Sequence, residues 1–350
     1  MTPETDVSGR TKAAIARLVE REDLTRADME AVMREIMGGD AAPEEIAGFL
    51  TALTMKGETV KEITGAVAVM RELADRVEVT SENLVDTCGT GGDRKGTFNI
   101  STAAAFVAAG AGATVAKHGN RSVSSSSGSA DVLTALGVDL DITRDAVAGA
   151  IDEVGIGFLF APRHHGAMKH AVGPRQALGI RTLFNLLGPL ANPALASNQV
   201  LGVYDQRWLE PLAKVLCELG SDHVLVVHAD DGMDELSTLG PTRMVELYEG
   251  DLLHYDIDPE QFGLDRARPE DLEAGGAEAN AAILRAILDG EPGPRRDIVL
   301  LNAGAALYAS GVAAELDHGV RRAAEAIDSG AARAKLEQLA AFTQGAEKAQ

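Results

Sequence analysis

The sequence predicts an α/β protein: a small all-helical domain plus a large domain with a mainly parallel β-sheet flanked by helices. Three observations predict it. Residues 11–75 keep helical spacing and helix-start signals throughout. From about residue 84, short apolar strand-like runs alternate with helix-like ones, the pattern of a parallel sheet covered on both faces. From about residue 278 onward the chain is helical again, with Ala and Leu dominant. A chain of 350 residues with 45% apolar content can hold two domains and at least one large core.

Taken in order, the segment from Thr25 to Asp28 resembles a capping box, and Gly38 and Gly39 stop the helix it opens. Thr59 to Glu62 is a full capping box, opening a helix toward Leu73. Ile46, Phe49, Leu50 and Leu53 recur at helical spacing between them. The apolar positions of this unit are numerous enough to pack internally or against a second subunit. Leu84-Val85 reads as a short buried strand leading into a Gly-rich loop. Ser101 or Thr102 is the expected cap of an Ala-rich helix to about Ala109. Ala113 to Ala116 is a second strand. Asp131 to Leu136 and Arg144 to Val154 read as helices, and Trp208 to Leu219 as another. Ile156 to Phe160, Gln199 to Tyr204 and His223 to Val227 read as strands. Met244 to Tyr248 and Leu252 to Asp256 flank Glu249-Gly250-Asp251 and suit a hairpin. Pro174 to Asn192 breaks the alternation with helical stretches that suit folding back onto the N-terminal helices. The expected division is therefore 1–78, joined by about 174–192, as the small helical domain, with 79–173 and 193–350 as the large α/β domain.

Charge narrows the function. The net charge of −21, from 32 basic and 53 acidic residues, argues against nonspecific binding to nucleic acid or anionic membranes. Two cysteines, Cys88 and Cys217, suit a reduced, cytoplasmic protein. The opening residues MTPETDVSGR lack the apolar core of a signal peptide. The apolar run Ala103 to Ala116 is too short and too rich in Ala and Gly to cross a bilayer. The acids are unevenly placed. None lies between Arg94 and Ala130, and none between Val154 and Tyr204, where an even spread would put about eight. Lys and Arg persist in both stretches, which a buried core would exclude as well. Both are therefore expected to line an anion site.

In open parallel sheets, ligands bind at the carboxyl ends of the strands. Three polar loops fall there. Gly89 to Thr102 is Gly-rich and runs into a helix N-terminus, which suits close backbone approach to an anion. It is neither a Walker A loop, because Thr97 stands where the Lys belongs, nor a Rossmann fingerprint, because Arg94 stands at the third Gly. Lys117 to Ser129 brings two cations, His118, Asn120 and six serines. Asp230 to Glu235 places four carboxylates in six residues, which repel one another unless a cation intervenes. With two phosphate-suited loops nearby, that acidic turn suits Mg²⁺. The residues alone thus point to an enzyme acting on a polyanionic, phosphate-bearing substrate with Mg²⁺, and leave the broken bond open.

CGTGGD with TFNIST, KHGNR with SGSAD, HHGAMKH with GIRTLFNLLGPLANP, and DGMDE together closely resemble the anthranilate phosphoribosyltransferase family, over most of the chain. The resemblance implies transfer of phosphoribosyl from phosphoribosyl pyrophosphate (PRPP) to the amine of anthranilate, with two Mg²⁺ ions per subunit. It also implies a homodimer formed through the helical domain. Carried over motif by motif, PRPP would meet Gly89, Gly92, Asp93, Thr97, Asn99, Ile100, Ser101 and Thr102 of the first loop. It would meet Lys117, His118, Gly119, Asn120, Arg121 and Ser129 of the second. Asn120 through Ser122, Val123, Ser124 and Ser125 would close over it. Anthranilate would meet Gly89, Asn120 and Arg175. Ser101, Asp234 and Glu235 would hold the metal, and Asn120, Arg175 and Ser101 would carry the chemistry.

Two positions depart from the family pattern. Arg94 stands where Gly is frequent, and Ser126 where Lys is frequent, so Arg94 is expected to restore the missing charge. His118, His164, His165 and His170 are expected to shape the substrate site rather than bind metal, since Mg²⁺ prefers oxygen. Cys88 is expected to be a small buried filler. Two rivals share the architecture: a pyrimidine nucleoside phosphorylase-like enzyme and a non-catalytic nucleic-acid-binding relative. The acids of DGMDE and the GTGGD loop weigh against the first, and the charge of −21 against the second.

Overall fold

The structure, a computed structural model, describes residues 9–93, 95–121 and 127–349. Arg94 and Ser122, Val123, Ser124, Ser125 and Ser126 lie outside the described residues, and with them the expectations placed there.

Four helices come first: α1 (Arg10–Val19), α2 (Arg26–Gly38), α3 (Pro43–Lys56) and α4 (Val60–Leu73). Both expected capping boxes are present. Thr25 Oγ1 accepts from the Asp28 N–H, and Thr59 Oγ1 from the Glu62 N–H, while each acid reaches back to its cap. Gly39, at φ 87°, ends α2 in the left-handed region. Glu62 is fully buried and also accepts from the Leu24 N–H and from Lys56 Nζ, so one side chain ties α4 to the α1–α2 connection.

The rest of the chain builds a seven-stranded sheet. Its strands are β1 (Val85–Gly89), β2 (Val115–Gly119), β3 (Ile156–Phe160), β4 (Asn198–Gly202), β5 (His223–Ala229), β6 (Thr242–Tyr248) and β7 (Asp251–Ile257). The order is β3-β2-β1-β4-β5-β6-β7. The first five in that order run parallel, and β6 and β7 return antiparallel as the expected hairpin. Between and after the strands lie α5 (Ile100–Gly110), α6 (Ser129–Ala135), α7 (Arg144–Gly149), α8 (Ala161–His164), α9 (Lys169–Leu178), α10 (Phe184–Leu190) and α11 (Leu209–Glu218). The C-terminal helices are α12 (Pro269–Leu272), α13 (Ala277–Leu288), α14 (Pro294–Ala309), α15 (Leu316–Asp328) and α16 (Ala331–Gly345).

The pleat splits the core in two. Leu225 and Val227 face a layer of α5 and the C-terminal helices, while Val224 and Val226 face α11, α4 and the N-terminal bundle. Ala171 of α9 and Leu186, Leu187 and Leu190 of α10 join the second layer, so this segment does fold back onto the N-terminal helices. Among the described residues, no helix is long and apolar enough to cross a membrane.

Several boundaries differ from expectation. β1 and β2 run on to Gly89 and Gly119, so Lys117 and His118 are strand residues rather than loop residues. Buried partners at the sheet's end, described below, make this tolerable. Helix α5 opens on Asn99 as its N-cap, without a side-chain cap bond, instead of on Ser101 or Thr102. Ser101 Oγ instead accepts from Lys117 Nζ, and Thr102 is buried. The helix begun at Arg144 widens into a π turn over Ala150–Val154.

Candidate active site

The carboxyl ends of β1, β2, β4 and β5 gather the three polar loops, and two glycines let the third seat against the first. Gly89 ends β1 opposite Gly202 of β4. A Cβ at Gly89 would stand 2.6 Å from Asp234 Oδ2, and one at Gly202 would stand 1.6 Å from the Asp234 carbonyl oxygen. Only bare backbone on both strands allows the acidic turn this close. The Gly91 N–H then donates to Asp234 Oδ2 at 2.7 Å, and the Ser101 N–H to Glu235 Oε1 at 3.3 Å. Gly91 and Gly92 sit at φ 67° and 79°, bending the loop around the carboxylate.

Both acids are held in an unfavourable state. Burial pushes the Asp234 carboxyl up, and Asp93 beside it pushes the same way. Burial also pushes Glu235 up, with Asp234 adding to the shift and Lys117 opposing it. A divalent cation would relieve this crowding, and oxygen donors of this kind suit a hard one. Among the described residues, no three His, Cys, Asp or Glu side chains converge as a complete metal cage. A cation held by Asp234, Glu235 and Ser101 would therefore draw further oxygens from water or substrate.

Lys117 forms the floor. Only 4% exposed, it donates to the Thr87 carbonyl oxygen and, at 3.3 Å each, to Thr87 Oγ1 and Ser101 Oγ. Asp86 lies behind it, accepting from the His118 N–H at 3.0 Å and from Asn192 Nδ2 at 2.8 Å. Burial pulls Lys117 down and Asp86 up, and each charge opposes the shift of the other. Cys88 is beside them. Burial and the Asp86 charge push its thiol well up, which removes it as a nucleophile.

His118 is neutral and directional. Its Nδ1 meets the Gly188 carbonyl oxygen at 3.1 Å, so Nδ1 carries the proton and Nε2 is a buried acceptor without a partner among the described residues. Burial, with His165 and His164 nearby, pulls its pKa to about 3. Among the described residues neither ring nitrogen of His165 has a well-aligned partner, although the Ala191 main chain lies close. His164 Nδ1 meets the Asp75 carbonyl oxygen at 2.9 Å, and the His170 ring packs on Gly39, so these two serve the fold.

The remaining expected residues divide. Gly119 faces Ser129 Oγ closely enough that a Cβ there would lie 2.4 Å from it, and Ser129 Oγ donates to the Asn120 carbonyl oxygen. Arg121 is exposed and paired with Asp131 at 2.9 Å. Thr97 forms an antiparallel bridge with Glu273. Ile100 is core, with its N–H given to the Phe98 carbonyl oxygen, and Thr102 is 1% exposed. Arg175, on α9, stacks 5.2 Å over Phe184 and has no ion-pair partner among the described residues. Its surroundings depress its pKa through burial. Arg163, from the acid-free stretch expected to line the site, instead pairs with Asp141. Three residues of the site escaped the sequence reading: Gly202, Asp86 and Asn192. Arg181 donates to the Gly92 carbonyl oxygen and stacks 3.7 Å over Tyr204, gripping the Gly-rich loop from the α9–α10 connection.

Comparisons agree with this architecture. Residues 81–333 match the glycosyl transferase family a/b domain, and residues 12–74 its helical bundle domain. An anthranilate phosphoribosyltransferase of Thioalkalivibrio sulfidiphilus is 60% identical over 94% of this chain and 98% of its own. The crystal structure of the enzyme of that name from Thermus thermophilus superposes with a TM-score of 0.90 at 47% identity, covering 95% of this chain and 99% of its own. The Saccharomyces cerevisiae enzyme in complex with PRPP and Mg superposes with a TM-score of 0.89 at 28% identity, covering 97% and 99%.

Proposed function

The chain belongs to the anthranilate phosphoribosyltransferase family, and from that premise we propose that it transfers phosphoribosyl from PRPP to the amine of anthranilate. The products are N-(5-phosphoribosyl)anthranilate and pyrophosphate, and the step belongs to tryptophan biosynthesis. The observation that best supports this reading is the crowded pair Asp234 and Glu235, seated on Gly89 and Gly202 against the Gly-rich loop and Lys117.

Asp234, Glu235 and Ser101 would hold Mg²⁺, two ions per subunit. When bound, Mg²⁺ offsets the negative charge that gathers on the leaving pyrophosphate. The chain's own groups do the rest. Lys117, fixed by Thr87 and Ser101, supplies a positive charge at the floor. The Gly-rich loop and the start of α5 offer backbone N–H groups to phosphate oxygens. Gly92, Asp93 and Asn99 stand on that wall, with Asn120 and Ser129 opposite. Arg175 would clasp the anthranilate carboxylate through two parallel hydrogen bonds and so orient the amine toward Gly89 and Asn120. As the anomeric C–O bond breaks, its electron pair departs with pyrophosphate, the amine lone pair forms the C–N bond, and the amine then gives one proton to solvent water. An aromatic amine is already neutral near pH 7, so no base must act before the attack, and positioning supplies much of the rate.

The same reading takes the protein as cytoplasmic, with 1–78 and about 174–192 as one domain and 79–173 and 193–350 as the PRPP-binding domain. It takes the assembly as a homodimer through the helical domain. An exposed apolar groove of about 520 Å³ between α1 and α3, where Val19 is 66% and Met55 73% exposed, supports that.

The test is direct. Protein, Mg²⁺, PRPP and anthranilate are mixed and the loss of anthranilate fluorescence is followed. The reading expects a loss that EDTA abolishes; an unchanged signal with excess Mg²⁺ refutes it.

A further inference from the structure

Asn280, in α13, is 1% exposed and belongs to none of the three polar loops, yet it joins two of them. The Asn99 N–H donates to Asn280 Oδ1 at 2.9 Å. Asn280 Nδ2 donates to Ser127 Oγ at 3.0 Å, and Ser127 Oγ donates to Asn99 Oδ1 at 3.3 Å. The three bonds close a ring among residues 181 and 153 positions apart in sequence. The ring has one sense only. A main-chain N–H must meet the amide oxygen, and the amide nitrogen also donates to the carbonyl oxygens of Gly275 and Gly276, at 2.8 and 3.1 Å.

The joined residues matter for what they carry. Asn99 is the N-cap of α5, two positions before Ser101, and Ser127 leads into α6 by way of Gly128. The segment before Asn280 strengthens the link. The Phe98 N–H donates to the Leu272 carbonyl oxygen at 3.0 Å, and the Ala274 N–H to the Gly96 carbonyl oxygen at 3.1 Å. The end of the Gly-rich loop is thus laced to the C-terminal region by backbone bonds, and Asn280 alone among these contacts extends the lacing to Ser127.

We propose that Asn280 is a positioning residue for PRPP: it sets the spacing between the Gly-rich wall and the Ser127 end of the opposite wall. The proposal rests on the phosphoribosyl-transfer reading. A phosphate-bearing substrate held between two loops loses affinity when their separation is free to vary, because binding must then restore it.

The experiment compares the wild-type chain with Asn280→Ala, Ser127→Ala and the double variant in steady-state transfer, with a thermal melt of each. Each single change should raise the KM for PRPP about tenfold, the scale of one lost buried hydrogen bond. The KM for anthranilate should stay within about twofold, since the ring does not touch Arg175. The double variant should be no worse than the poorer single one, because one ring is broken once. Ser127→Ala keeps the test alive if Asn280→Ala does not fold. Folded variants with an unchanged KM for PRPP, or single effects that simply multiply, overturn the proposal. An inactive wild-type protein overturns the transfer reading instead.

Discussion

Acid should destabilise this protein through His118 and His165, and the size of the effect follows from their burial. They are 5% and 6% exposed, with ring centroids 5.2 Å apart. Burial, helped by His165 and His164, holds His118 at about 3, and burial, helped by His164, holds His165 at about 4. An unfolded chain returns each to about 6.5. Below that value the unfolded state binds protons that the folded state refuses. The stability they contribute is therefore complete above pH 6.5 and is lost as pH falls toward 4 for His165 and 3 for His118. The slope is about 1.4 kcal/mol per pH unit for each, so by pH 5 each has cost about 2 kcal/mol. Together that is about 4 kcal/mol, against a total of roughly 5–15 for a typical domain. Urea unfolding of the wild type and of His165→Phe at pH 7 and pH 5 measures it. At pH 7 the variant should stay within about 1 kcal/mol, because the imidazole nitrogens it removes have no well-aligned partners among the described residues. Between pH 7 and 5 it should lose about 2 kcal/mol less than the wild type. His164, Lys117 and Asp86 titrate in both proteins and cancel in the difference. Parallel losses in the two would refute the assignment.

Three further outcomes test the site. Asp234→Asn and Glu235→Gln remove charges that burial disfavours, so the ligand-free protein should melt higher at pH 8 while kcat/KM falls about a hundredfold or more. Gly202→Ala would put a methyl group 1.6 Å from the Asp234 carbonyl oxygen, so the acidic turn must move; kcat/KM should fall by about two orders of magnitude while circular dichroism keeps its helical signal. Arg175→Lys keeps the charge but loses the fork, and steady-state kinetics should show the KM for anthranilate raised about tenfold with the KM for PRPP little changed.

The local parts of this fold were legible. Capping boxes at Thr25 and Thr59 need only four consecutive residues, and both formed as read. The hairpin around Glu249 is likewise local. Reading failed where one segment's state depends on another far along the chain. Lys117 and His118 look like loop residues because a strand seldom buries such groups, yet Thr87, Asp86 and Gly188 supply their partners. The acid-free stretches do hold Lys117, which meets Ser101, and Arg181, which meets the Gly92 carbonyl oxygen. They also overstated the site. Arg121 and Arg163 find Asp131 and Asp141, acids that lie just outside or beyond those stretches. Asn280 carried only a faint signal, a lone amide in the Ala-rich helix AEANAAILRAIL.

The distribution of ion pairs gives the strongest reason to see a ligand site here. The chain forms surface pairs freely, as between Arg34 and Glu72 or Arg144 and Asp75. Folding alone would be served by closing the remaining charges in the same way. At the strand ends the backbone does the reverse. Gly89 and Gly202 admit Asp234 so closely that it crowds Asp93 and Glu235, and Lys117 is held by Thr87 and Ser101 rather than by either acid. Arg175 rests on Phe184 with no acid against it among the described residues. Among the described residues Lys117 therefore makes no direct hydrogen bond to Asp234 or Glu235, and the two acids stay crowded despite its charge. Such an arrangement lowers the stability of the free protein and gains it back when anions and a cation are bound, because the charges are already placed and need no reorganisation to receive them.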